Sequence, residues 1–134
     1  MTCEKAARII HEQGPEIVIF TQGENGCKGV YEGKYFELPA FKINAVDSTG
    51  AGDVFHGAFN YAYLQGWKIP ECARFSSAVS AIKCTARGGR AGIPDLNTVQ
   101  RFLKDGVIDR VFLDERLEQY HQGFFNINEE VRLC

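Results

Sequence analysis

The chain has 134 residues, 45% hydrophobic and 24% charged, which predicts one ordinary globular domain. Its formal net charge of −2 offers no electrostatic footing for nucleic acid or an anionic membrane, no apolar run approaches the roughly 20 residues of a membrane span, and no basic-then-apolar leader opens it. The five cysteines, Cys3, Cys27, Cys72, Cys84 and Cys134, are odd in number and form no C-x-x-C, which argues against a zinc site or a disulfide framework and for free thiols in a reducing, cytoplasmic setting.

Thr2 is placed to cap a first helix whose apolar stripe is Ala6, Ile9 and Ile10, and Gly14-Pro15 stops it. The continuous β-rich run Ile17-Val18-Ile19-Phe20 reads as a buried parallel strand. Gly29-Val30-Tyr31 and Tyr35 to Leu38 read as a hairpin turning at Glu32-Gly33. Phe41 to Val46 is a short strand or an extended entry to the glycine-rich segment after it. The next helix buries Phe55, Ala58, Phe59 and Ala62 and ends at Gly66. Pro70 opens another helix, with Cys72, Phe75, Val79 and Ile82 on one face. Arg87 to Gly92 is a glycine-rich loop, and Asp95 caps a helix carrying Leu96, Val99, Phe102 and Leu103 that Gly106 closes. Beyond Gly106 the chain mixes charges with Phe112, Leu113, Leu117, Tyr120, Phe124 and Phe125.

The stretch Ala45 to Phe59, AVDSTGAGDVFHGAF, concentrates the chemistry. Gly50, Ala51 and Gly52 leave room for an anion to approach the backbone, and their N–H groups, with the positive end of the following helix, make an anion pocket. Asp53 sits where a carboxylate faces that pocket. A negative charge there is awkward for plain phosphate binding, and sensible for removing a proton from a hydroxyl that attacks a phosphoryl group. A bare helix entry, with an aspartate favoured by the helix dipole, accounts for Asp53 but not for three small residues before it.

Asp47 to Phe59 resembles the second signature of the PfkB/ribokinase family of sugar kinases, D-T-x-G-A-G-D-x-F. The resemblance implies an α/β fold, the C-terminal portion of a ribokinase-like three-layer α/β/α architecture. It implies Asp53 as catalytic base, an anion hole at Gly50, Ala51, Gly52 and Asp53, and ATP and Mg2+ as cofactors. It implies a sugar or sugar phosphate as acceptor. It covers about residues 1–104, so residues 1–106 are expected to form the nucleotide-binding half and residues 107–134 an extra tail. Family members are usually about twice as long. The half with most sugar-binding residues and the β-sheet lid finds no counterpart here, and no N-x-x-E motif, which organises magnesium in the family, stands in the expected place upstream of residue 20. The chain therefore reads as a fragment, one piece of a split protein, or a truncated product, with a non-catalytic nucleotide-binding or oligomeric structural remnant as alternatives. Combined with Gly88 to Pro94, the signature is most similar to a sulfofructose-kinase-like branch.

The loop Thr21 to Gly26 comes directly after the first strand, where open α/β sheets bind ligands. By itself T-x-G-x-x-G is served equally by a strand-to-hairpin turn. With the signature it resembles the family's nucleotide loop, with Thr21, Gly23 and Gly26 on the nucleotide alongside Gly52. Ser77 lies on the helix that borders the adenine in the family, or simply packs between helices. In potassium-dependent relatives the position of Asp47 and nearby carbonyls hold a monovalent cation such as K+, which here implies Asp47, Thr49, Lys83, Ala86 and Gly88. Gly92 stands where a serine hydroxyl often completes that set. Asp47 otherwise serves as a turn residue bonding its own loop amides. His56 reads as a helical surface or core histidine, and Arg87 and Arg90 as solvated loop charges or phosphate contacts. A half-fold leaves a sheet edge and an apolar face uncovered, so a homo-oligomer or a missing N-terminal half is expected, with Phe112, Leu117, Phe124 and Phe125 of the tail contributing to the contact.

Overall fold

A helix, α1 (Cys3–Glu12), begins where the Thr2 hydroxyl accepts the Lys5 N–H at 3.2 Å. The computed structural model describes the backbone of residues 1–131 and the side chains of residues 1–123. Only Ala7 of α1 is buried; Ile9 and Ile10 of the expected stripe face outward, because the helix leans on the sheet through its Ala7 face.

Three strands come next: β1 (Ile17–Thr21), β2 (Cys27–Tyr31) and β3 (Lys34–Leu38). The apolar run of β1 predicts a parallel, buried strand. Instead, β1 is antiparallel to β2, with Val18 opposite Val30 and Thr21 opposite Cys27, and only Val18 is buried. The reason is connection length. The turn at Gly23–Asn25 reverses the chain within a few residues, and only an antiparallel partner can be reached that way. The β2–β3 hairpin turns at Glu32-Gly33, where φ is 48° and 71°, the pair of left-handed conformations that suits the strands' twist.

Residues 39–48 run without regular structure, so Phe41 to Val46 is an extended entry rather than a strand. Its side chains still hold it down: the Phe41 ring lies 5.0 Å from that of Phe102. Among the described residues four helices follow: α2 (Ala51–Leu64), α3 (Ile69–Cys84), α4 (Leu96–Asp105) and α5 (Arg110–Val131). The Asp95 carboxylate accepts the Thr98 N–H at 2.9 Å, capping α4, and Gly106 closes it at φ 74°. Helices α2, α3 and α4 share the main core of Ala62, Phe75, Val79, Ile82, Val99 and Phe102. Burying a side chain of Phe102's size is worth about 1.5–3 kcal/mol. Of the four apolar residues expected inside from α2, Phe55 and Ala62 are buried while Ala58 and Phe59 are half-buried.

The described part of the segment after Gly106 packs on the domain. Leu113 of α5 is fully buried in the main core, and Arg116 donates to the Ile93 carbonyl at 2.6 Å. Phe112 is exposed, and the side chains of Phe124 and Phe125 lie outside the described residues. Among the described residues no helix is long and apolar enough to cross a membrane.

Candidate active site

The signature folds into a tight turn at the N-terminus of α2. Gly50 is its hinge at φ 74°, and a Cβ there would lie 3.2 Å from the Gly89 carbonyl, so the glycine loop 88–89 packs closely on the turn. Ala51 spends its N–H on the Ser48 carbonyl at 3.0 Å, and Val54 bonds back to Gly50 at 3.0 Å. Of the four expected anion-hole amides, those of Gly50, Gly52 and Asp53 are therefore the ones without a partner among the described residues. Unspent N–H groups at a helix start, reinforced by the helix dipole, form an anion site.

Two cavities meet at this turn. One, of about 620 Å³, is lined by Gly23, Gly26, Ser48, Ala51, Ser77 and Ser80, with Pro39 to Ile43 along one side. The other, of about 770 Å³, is lined by Thr49, Gly50, Asp53, Arg90 and an apolar wall that includes Tyr61, Phe75 and Val99. The structure thus brings Gly23, Gly26 and Ser77 together, and places Asp53 with Gly50 on the opposite side of the turn. The Asp53 carboxylate is exposed. Arg90 shares its cavity; Arg87 and His56 line neither of the two. Thr21 is exposed at the end of β1 and lines neither cavity, since the antiparallel turn carries the chain past it.

Helix α3 fastens the turn from behind. The Cys84 carbonyl accepts the N–H groups of Val46 (2.7 Å) and Asp47 (3.1 Å), and the Ser80 hydroxyl donates to the Ala51 carbonyl at 2.9 Å. Asp47 makes the local contacts of a turn residue. One carboxylate oxygen accepts the Thr49 N–H at 2.9 Å, the other the Gly88 N–H at 2.8 Å. Hydrogen bonds from Thr49, then from Gly88, hold its carboxyl well below the usual carboxylate range.

The family resemblance implicates Lys83 only through its backbone carbonyl. Its side chain does something else: fully buried, it sends Nζ to the carbonyls of Asp47 (2.9 Å) and Thr49 (2.5 Å). The monovalent-cation set of Asp47, Thr49, Lys83, Ala86 and Gly88 thus has a positive group already on two members, and the residues present do not fit a free ion there. Lys83 follows Val79 by four residues, so helical spacing alone places it on the buried face. Ser80 is likewise legible from its spacing to Ser77. Pro39 to Ile43 carried no site signal, because irregular chain reaches a site only through the tertiary fold.

Comparisons with known proteins bear on the family and the fold. The pfkB family carbohydrate kinase profile matches residues 2–96. A ribokinase from Haemophilus influenzae is 36% identical over 100 residues, which is 75% of this chain and 33% of that protein. The fold superposes on a crystal structure of ribokinase from Thermotoga maritima with a TM-score of 0.74 at 40% identity, covering 78% of this chain and 35% of that one. It superposes on an E. coli protein, described as a putative ribokinase II and solved with ATP and Mg2+, with a TM-score of 0.73 at 28% identity, covering 78% and 34%. The chain spans about a third of the length of the curated relatives it matches. With its profile match across most of the length and its signature at the head of α2, the chain belongs to the PfkB family of carbohydrate kinases.

Proposed function

We propose that this chain is the nucleotide- and anion-binding part of an ATP-dependent kinase that phosphorylates a sugar hydroxyl. The observation that carries this reading is the turn at Ser48 to Asp53, which lines both cavities and holds three unspent N–H groups between them. The cavity of Gly23, Gly26 and Ser77 fits a nucleotide base and ribose: small residues on the loop side, a half-buried serine on α3. ATP, when bound, supplies the phosphoryl group. The amides of Gly50, Gly52 and Asp53 neutralise charge that builds on it during transfer. The Asp53 carboxylate takes the proton of the acceptor hydroxyl as that oxygen bonds to the γ-phosphorus, while the bond from that phosphorus to the β–γ bridging oxygen breaks and ADP leaves. Magnesium would be held chiefly through nucleotide phosphates. Support for ATP and Mg2+ comes from the E. coli relative solved with both. The sulfofructose-kinase-like branch rests on the motif match alone.

The apolar wall of the larger cavity favours a second element of the reading. Val54, Ala58, Tyr61, Phe75, Val79 and Val99 line one open cleft, which suits further protein, either the rest of a longer kinase or a second copy. A fragment that binds nucleotide without turnover is the alternative. Calorimetry with ATP and MgCl2 tests the core of the proposal: binding is expected. No heat and no thermal shift at about millimolar ATP rejects an intact nucleotide site. Binding with no phosphorylation of any sugar, even with the remainder of a kinase supplied, selects the alternative.

A further inference from the structure

We propose that the Lys83 ammonium is a tethered cation that holds the Asp47–Gly50 turn in its anion-binding shape, in place of a free monovalent ion. This role rests on the proposed function only for the purpose that the shape serves.

Lys83 lies in the last turn of α3 and is 0% exposed. Its Nζ donates to two backbone carbonyls, of Asp47 and Thr49, two residues apart on the turn. Carbonyl oxygens converging on a positive centre are the arrangement that also binds a weakly hydrated ion. A free ion on the same oxygens would face a like charge at close range and displace hydrogen bonds that are already made. The Asp47 carboxylate is also engaged, since both its oxygens are taken by N–H groups of Thr49 and Gly88.

Gly92 points the same way. A Cβ at this position would lie 2.7 Å from the Lys83 carbonyl and 2.8 Å from the Ala86 Cβ. The chain passes too tightly for a side chain there, so no hydroxyl is offered from that side. The ion's oxygen set is engaged by Lys83 on one flank and lacks a donor on the other.

The consequence reaches the anion hole. The Asp53 N–H lies in the first turn of α2, behind the Gly50 cap, where helix donors have no intrahelical partner. By fixing the carbonyls of Asp47 and Thr49, Lys83 holds the backbone that leads into that turn. Lys83 is therefore a positioning residue, acting on the site through the Thr49 carbonyl.

The test is thermal unfolding without nucleotide, in KCl and in choline chloride at matched ionic strength, for the wild type and for Lys83→Met, which keeps the stem and removes the charge. The wild type is expected to melt at the same temperature in both salts. Lys83→Met is expected to melt lower in choline and to recover by about 4 °C or more in K+. A wild-type melting temperature that rises in K+ but not in choline overturns the proposal. So does a variant as stable as the wild type, or a destabilised one that K+ does not restore. If Lys83→Met folds in neither salt, the wild-type comparison decides alone. Because no nucleotide is present, a failed ATP titration leaves this result standing, and a K+ response leaves the ATP reading standing.

Discussion

The Asp47 carboxylate accepts the Gly88 N–H at 2.8 Å, joining the signature turn to the glycine loop 41 residues further along the chain. With the Thr49 N–H on its other oxygen, this one side chain sets the distance between two loops that both line the cavity of Asp53. Its role is therefore visible in stability as well as in binding.

Acid should weaken that link. Hydrogen bonds from Thr49 and Gly88 favour the ionised form, so the folded-state affinity for a proton lies below that of an unfolded aspartate. Stability from Asp47 is thus fully present above the ordinary carboxylate range near pH 4 and is lost as pH falls towards the lowered folded value. Denaturant unfolding of the wild type and Asp47→Asn across pH should show the wild type more stable at pH 7 and the gap closing below about pH 4. A gap that does not change with pH would contradict the assigned role.

Asp53→Asn keeps the shape of the turn and removes the base. In a complete kinase carrying this segment, turnover should fall by about 10²–10⁴-fold, with ATP affinity nearly unchanged. Steady-state kinetics with parallel ATP titration makes the measurement. Wild-type turnover in the variant would rule Asp53 out.

Ser77→Phe places a ring in the cavity shared with Gly23 and Gly26. Because Ser77 is half-buried at the cavity edge, the fold should survive. ATP affinity should drop by about tenfold or more, equivalent to about 1.4 kcal/mol. Equal affinity in calorimetry would move the nucleotide elsewhere.

Leu113→Ala should cost about 2–4 kcal/mol in denaturant unfolding, since the side chain is fully buried in the main core. Phe112→Ala, at an exposed neighbour, should stay within about 0.5 kcal/mol. Light scattering should show a dimer or larger species, as the open apolar cleft requires cover. A stable monomer would mean that the cleft is tolerated in water.

Helix positions, caps and the hairpin were readable from local rules: Thr2, Asp95, Gly66 and Gly106 act within one turn of their own chain, and Glu32-Gly33 needs only its two neighbours. The turn at Gly50 to Asp53 was legible for the same reason: its small residues and its carboxylate are consecutive, so spacing along the sequence is spacing in the turn. Tertiary structure decided the rest. The direction of β1 depended on which strand lay beside it, and an apolar run looks alike in either orientation. The burial of Leu113 depended on where a 22-residue helix comes to rest. Lys83 shows the difference most clearly. Helical period places it on a buried face, but only the fold brings two carbonyls from a distant turn to its ammonium, and a buried charge is tolerated only where such partners wait for it.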